Sequence, residues 1–401
     1  MGPRGVPAPL APGAQPAPMP SGDVAYVFSS VTWEAAQRRG MGASEDRLVQ
    51  TLLDHRAVQR TLVCEPFRSA PIRLARRALQ RGGAPFPTSE RAALCSPTRL
   101  RRRDPVSLDA LQRTCSAYER HMRRAAERLG MDRPAVIVGH PVLAGLGRFD
   151  WAGPVTFYAI DDWTSYPPNR AWWPAYRASI ERVRELGRRV AAVSAEIVER
   201  ITPTGPSLVV PNGIDPDEWL APAAAPAWFL QRPAPRLLYV GSLDRRIDVA
   251  AVIAAARAVR DGSVTLVGPM LDEEHLARLR AEPNVSVRPT APRAEVVALI
   301  AASDACLIPH ARTPLTEGMS PLKLYEYLAG GRPVAASSLP PIARVGHPRV
   351  ALADEGPQAF ADAVRRALAL GPAPADERLR FLRDNAWRRR HEPLLRLALG
   401  A

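Results

Sequence analysis

Lysine is almost missing from this 401-residue chain: of 54 Lys+Arg, a single residue, Lys323, is lysine. A drift that exchanges lysine for arginine wherever charge alone matters spares a lysine where a compact ammonium is required and a planar guanidinium does not fit. The bland alternative is chance survival on a solvated helix face. Cysteine is also scarce, with four residues (Cys64, Cys95, Cys115, Cys306) and no Cys-x-x-Cys pair. That excludes a disulfide framework or a zinc site and fits a reducing, cytoplasmic compartment. No uncharged apolar run approaches a membrane span. Residues 1–22, rich in Pro, Ala and Gly, lack the apolar stretch of a signal peptide and read as a disordered tail.

Negative charge is under-represented, with 40 Asp+Glu and a net charge of +14. Acidic partners are therefore favoured: nucleic acid, anionic lipid head groups or nucleotide sugars. No nucleic-acid module accompanies the runs Arg99-Leu-Arg-Arg-Arg103 and Arg388-Arg-Arg390, so no nucleic acid is expected. A peripheral contact with anionic membrane at its inner face, or a lipid-phosphate acceptor, is preferred. Gly40-Met-Gly42 lacks the third glycine of a dinucleotide fingerprint and lies too far from its strand.

What is present is an alternation of apolar strands and amphipathic helices. The strands expected over 24–29, 61–66, 135–139, 155–160 and 189–193, with intervening helices, form one doubly wound α/β unit over 23–205. The order of 67–103 is not legible. A Pro- and Ala-rich linker region covers 206–235, and the same grammar restarts over 236–380 with strands at 236–241, 264–268, 285–287, 305–308, 333–336 and 349–353. Alternation of this kind predicts two parallel sheets that bind ligands at the carboxyl ends of their strands. His140 and the pair Asp161-Asp162 stand at two such ends. His140 is placed to look into a cleft or to serve as a satisfied polar residue. Asp161 suits a base for a hydroxyl, its pKa raised by its acidic neighbour, or else a helix cap. Half of the eight tryptophans fall between Trp151 and Trp173, an aromatic wall for sugar or lipid-linked ligands or for packing.

The stretch Thr316 to Ser337 organises the second unit. Pro321 is expected at the first helical position, Gly330-Gly331 just past the helix end, and a buried strand follows. The helix start offers free N–H groups and a positive dipole end to a phosphate. Lys323 and Glu326 lie three apart, on one face. The ammonium suits an anionic leaving group and the carboxylate a ribose diol.

Ser320-Pro-Leu-Lys-Leu-Tyr-Glu-Tyr-Leu-Ala-Gly-Gly-Arg-Pro-Val334, Val210-Pro-Asn-Gly-Ile-Asp215 and Leu238-Tyr-Val-Gly-Ser-Leu243 resemble the GT-B glycosyltransferases, group 1 (GT4-like) branch. The resemblance implies two Rossmann-like domains facing across a cleft, with residues 381–401 crossing back to the first. It implies metal-independent transfer of a sugar from a nucleotide diphosphate donor to a glycan, lipid-linked or small-molecule acceptor, with no cofactor. The donor ribose falls to Glu326, and the turn at Asn212 lies near the donor. The loop after Gly241 and Ser242 usually carries a lysine for the diphosphate; Arg245 or Arg246 stands in. Ser320, Pro321 and Leu322 complete the donor set. A first glutamate usual in the branch is replaced by Gly318, with Glu317 one residue away. Two other readings are a nucleotide-sugar epimerase of the same architecture and a non-catalytic binding protein.

Overall fold

The computed structural model describes residues 19–71 and 84–400. The expected tail falls outside these residues as far as 18, and Gly22 already opens the first strand. Part of the illegible 67–103 stretch is likewise outside them.

Fifteen strands are described. The first sheet contains β1 (Gly22–Val27), β2 (Val58–Cys64), β4 (Ala92–Cys95), β6 (Ala135–Val138), β7 (Val155–Ala159), β8 (Arg189–Ala192) and β9 (Ser207–Val209). β3 (Arg68–Ser69) and β5 (Thr98–Arg99) make a separate two-stranded pair. The second sheet contains β10 (Arg236–Val240), β11 (Ser263–Val267), β12 (Val285–Arg288), β13 (Ala305–Ile308), β14 (Val334–Ser337) and β15 (Val350–Ala353). β9 pairs with β8, so the first sheet reaches past the expected boundary at 205 into the linker region.

The strand order in the first sheet is β4-β2-β1-β6-β7-β8-β9, and in the second β12-β11-β10-β13-β14-β15, with parallel pairing throughout each. In each sheet the chain winds outward one way and then the other. The direction switches between β1 and β6 in the first and between β10 and β13 in the second. Loops on the two sides of a switch point part there and leave a crevice beyond the strand ends.

Burial on both faces explains why these strands are almost continuously apolar. Along β10, Leu237 and Tyr239 face a core with Val252, Ala256, Phe360 and Val364. Leu238 faces the other way, onto a core with Trp219, Phe229, Ile300 and Leu328. Side chains alternate across a strand with a period of two, so one strand feeds two cores. Trp219 and Phe229 come from linker helices Pro216–Leu220 and Ala227–Leu230, which pins the linker to the second lobe. Their full burial contributes roughly 2–3 kcal/mol each by transfer. The last helix, Trp387–Leu399, places Leu394, Leu395 and Ala398 in the first lobe's core, so the chain returns across the junction.

Candidate active site

The second switch point gathers several ionisable side chains around Lys323. Its helix spans Leu322–Ala329, with Pro321 as the N-cap rather than the first helical residue. Lys323 Nζ donates to Tyr239 Oη at 2.8 Å and lies 3.3 Å from His310 Nε2. It also stands 4.1 Å from the centre of the Tyr239 ring, within cation–π reach. Tyr239 is the penultimate residue of β10 and His310 follows β13, so the two strands flanking the switch point supply the contacts. Burial first, then the Arg246 guanidinium, holds the Lys323 pKa down to about 7. The same burial, with Lys323 and Arg246, keeps His310 well below the usual imidazole range.

Gly241 makes room for that ammonium. Its φ of +145° is backbone that other residues rarely adopt, and an added Cβ would sit 2.7 Å from Lys323 Nζ. Next to it, Ser242 accepts a hydrogen bond from Tyr239 Oη through its carbonyl. Arg246 is held by Asp244, with Nη2 to Oδ2 at 2.7 Å. Of the arginine pair, Arg245 has a side chain that is 78% exposed and ion-paired with Asp272 at 2.7 Å. Arg246 alone joins the cluster.

Glu326 is buried and ion-paired with Arg293, a contact the sequence reading did not include. Arg293 also binds Glu218 at 2.6 Å, Glu218 binds Arg47, and Arg47 binds Asp215 at 2.8 Å. The chain of charges thus runs from the first lobe's helix Ser44–Asp54, through the linker, to the organising helix. It fixes the Glu326 carboxylate through a guanidinium whose planar fork serves two acids at once. Lys323 and Glu326, expected to act from one face, therefore have separate partners.

The first lobe presents Asp161 and Asp162 at the end of β7. Burial raises the Asp161 pKa to about 6, against the opposing pull of the Asp162 N–H and the Arg246 charge. The Asp162 charge is the smallest contribution, so desolvation rather than pairing of carboxylates does most of the shifting. Asp162 is structural: it accepts from Thr164 N at 2.9 Å and Arg200 Nη1 at 2.6 Å. Asp161 accepts only the Asp162 N–H among the hydrogen bonds described. Beside this pair lies a cavity of about 220 Å³ with an apolar back of Phe157, Ile180 and Ile197. His140 caps helix Pro141–Leu146 through Nδ1, accepting from Val142 N at 3.3 Å. It packs against Trp163 and Tyr176 at ring distances of 5.0 and 5.9 Å, and burial lowers its pKa to about 4.

The lobes are tied together at the crevice. Asn212 donates to Ser320 O at 2.6 Å and accepts from Ser44 Oγ at 2.5 Å, so its side chain bridges both lobes. Ser194 Oγ donates to Gly318 O, and Arg200 Nη1 to Pro314 O, both at 2.6 Å. Arg200 also lies against Gly318, where an added Cβ would meet its Nη1 at 2.9 Å. Glu317 turns instead to Arg312 at 2.9 Å. The residues that sequence reasoning missed are Tyr239, His310, Arg293 and Arg200. His310 stands at a strand end as His140 does, so the same rule applied to the second sheet finds it. The other three needed distances.

Comparison with known proteins fits this geometry. Residues 234–369, within the second lobe, match the family model described as glycosyl transferases group 1. A protein of Bacillus subtilis (strain 168), which carries the name teichuronic acid biosynthesis glycosyltransferase TuaH, is 30% identical over 148 residues. That match covers 35% of this chain and 36% of the relative's length. The sucrose-phosphate synthase of Thermosynechococcus elongatus superposes with a TM-score of 0.62 at 17% identity, covering 94% of each chain. An alpha,alpha-trehalose 6-phosphate synthase of Burkholderia multivorans gives 0.63 at 15% identity, over 94% of this chain and 98% of its own. The fold is GT-B.

Proposed function

We propose that this GT-B chain, with its group 1 glycosyl transferase domain, moves a sugar from a nucleoside diphosphate donor to a hydroxyl of an acceptor. The observation that carries the reading is the convergence of Lys323, Arg246 and the start of helix Leu322–Ala329 at one switch point. Asp161 comes from the opposite lobe, close enough for Arg246 to act on its charge. Departure of a nucleoside diphosphate builds negative charge, and fixed positive groups aimed at it lower the barrier. Lys323, Arg246 and the helix dipole supply that charge, which is why the proposal includes metal independence. Glu326, held by Arg293, retains acceptor capacity for a ribose diol. Asp161 takes the acceptor proton if the anomeric centre inverts. If it is retained, the departing phosphate takes it and Asp161 orients the acceptor.

The acceptor is assigned to the first lobe, at the cavity beside Asp161. A glycan, a lipid-linked glycan and a small molecule all offer the hydroxyl required. Peripheral membrane contact belongs to the same proposal. Leu100, 87% exposed, lies among Arg99 and Arg101 to Arg103, a pairing that suits anionic lipid. Among the described residues no helix is long and apolar enough to cross a membrane.

The test is thermal-shift screening of nucleoside diphosphates and their sugars. The expected result is stabilisation by one base series, because a ligand that binds only the folded state raises the melting temperature. The proton spectrum of the anomeric position in the product then fixes the stereochemistry. No response to any nucleotide would refute the assignment. Conversion of a nucleotide sugar without acceptor or loss of nucleotide would select an epimerase instead.

A further inference from the structure

We propose that Tyr239 and His310 are positioning residues for Lys323, presenting its amino group over Gly241 as a proton-accepting socket, so that a nucleoside diphosphate binds together with a proton. The inference rests on the donor-site reading above and adds the chemistry of the socket.

The geometry begins with what surrounds Lys323 Nζ. Its two hydrogen-bonding neighbours are neutral: Tyr239 Oη at 2.8 Å and His310 Nε2 at 3.3 Å. Tyr239 spends its own proton on Ser242 O at 3.1 Å, which leaves the phenol oxygen free to accept from the amine. For His310 Nε2 to accept as well, the imidazole must be neutral and carry its proton on Nδ1, a buried atom with no partner in the structure.

The nearby charges are otherwise committed. Asp244, on the loop after β10, binds Arg246 at 2.7 Å, and Glu326, on the same helix as Lys323, is paired with Arg293. Arg246 repels the ammonium, and Asp161 from the other lobe acts on Arg246. A partly buried amine with a neighbouring cation and only neutral direct partners favours its uncharged form. The Lys323 pKa of about 7 agrees with that environment.

A diphosphate reverses the balance. Its charge, placed where Gly241 leaves space, favours the ammonium, and the amine takes one proton from the buffer: R–NH₂ and H⁺ become R–NH₃⁺, with no covalent bond to the ligand. Arginine cannot do this, because its guanidinium stays charged at every accessible pH. The survival of a lone lysine at this position follows from that difference.

Isothermal titration of the full chain with uridine, guanosine and adenosine diphosphates, in buffers of different ionisation enthalpy, counts the protons. With a free-state pKa near 7, uptake on binding is expected to be about 0.9 proton at pH 8; at pH 6 the amine takes up only about 0.1 and the terminal phosphate, whose second pKa is about 6, releases part of its own proton, so net uptake disappears. Tyr239→Phe keeps the ring and removes the acceptor. A loss of one pKa unit in the free state would weaken binding about tenfold at pH 8.5 and only about twofold at pH 6. His310→Phe is expected to move in the same direction, and Lys323→Arg to abolish proton uptake. Tight binding without proton uptake in the wild type at pH 8 would overturn the inference while leaving the donor site intact. So would a Tyr239→Phe variant weakened equally at both pH values. Failure of all three diphosphates to bind would instead overturn the donor-site reading, and this inference with it.

Discussion

Replacing Lys323 by methionine should make the unliganded protein more stable and deprive it of its response to nucleoside diphosphates. The amine's pKa falls from 10.5 to about 7, and at about 1.4 kcal/mol per pKa unit the charged form is disfavoured by on the order of 5 kcal/mol relative to the unfolded chain. By surface measure the residue is only partly sealed from solvent, so water offsets much of this; we expect about 1–2 kcal/mol to be realised. The sign follows from linkage. Because the folded pKa lies below the unfolded one, the unfolded chain binds more protons between pH 7 and 10.5. Stability therefore rises with pH across that window, and the cost is fully present below pH 7. Methionine fills a similar volume without the charge. A lobe of about 200 residues gains roughly 2–4 °C per kcal/mol, so differential scanning fluorimetry at pH 6.5 should show a melting point about 2–8 °C above wild type. At pH 10.5 the difference should close. Addition of millimolar nucleoside diphosphate should raise the wild-type curve and leave the variant's in place. A variant that melts lower than wild type at pH 6.5, and still gains from the ligand, would refute the reasoning.

Asp161→Asn should lower turnover by about 10²–10⁴ if the carboxylate is the acceptor's base. Wild-type activity should then fall about tenfold per pH unit below pH 6, where Asp161 is protonated. The same variant should melt higher at neutral pH: with a folded pKa raised above 3.8, the folded state binds the extra proton between pH 3.8 and 6 and loses stability as pH rises through that window. A variant with full turnover in steady-state assays would remove Asp161 from the chemistry. Arg293→Met should cost about 2–4 kcal/mol in chemical denaturation, because it leaves Glu326 and Glu218 in a largely buried setting without their shared cation. It should also raise the KM for donor; unchanged stability and KM together would show the charge chain to be ornamental.

Much of the architecture was legible because each strand is buried on both faces and so appears as a short apolar run. β6, β10 and β13 were located to within a residue or so. Where periodicity fails, reading failed: the short β4 and the two-residue strands β3 and β5 sit in an arginine- and proline-rich stretch with no apolar rhythm. β9 was missed as part of the first sheet because it is an edge strand with mostly exposed residues, which in sequence looks like a linker. Within the site, Lys323 was legible from composition alone and Asp161 from its place after an apolar run. The partners of Glu326 were not, because Arg293 is one arginine among many and nothing local marks it. The choice between Arg245 and Arg246 likewise depended on a loop's direction, which spacing does not encode.

Two opposed perturbations in the crevice come from opposite lobes and have a common cause. Lys323 is pushed down to about 7 and Asp161 up to about 6, each mainly by burial, and Arg246 opposes the charge of the first while favouring that of the second. Neither arrangement helps an empty protein to fold; each charged form costs free energy near neutral pH. Both become useful when a polyanion enters. Its field favours the ammonium on Lys323 and raises the proton affinity of Asp161, so arrival of a diphosphate strengthens the cation that must hold the leaving group and the base that must take a proton. The stabilities of Lys323→Met and Asp161→Asn in the absence of ligand therefore bear on function as directly as rates do. If both variants melt above wild type while turnover falls, stability has been given up at the places where charge is needed during reaction. If either melts below it, that residue belongs to the scaffold.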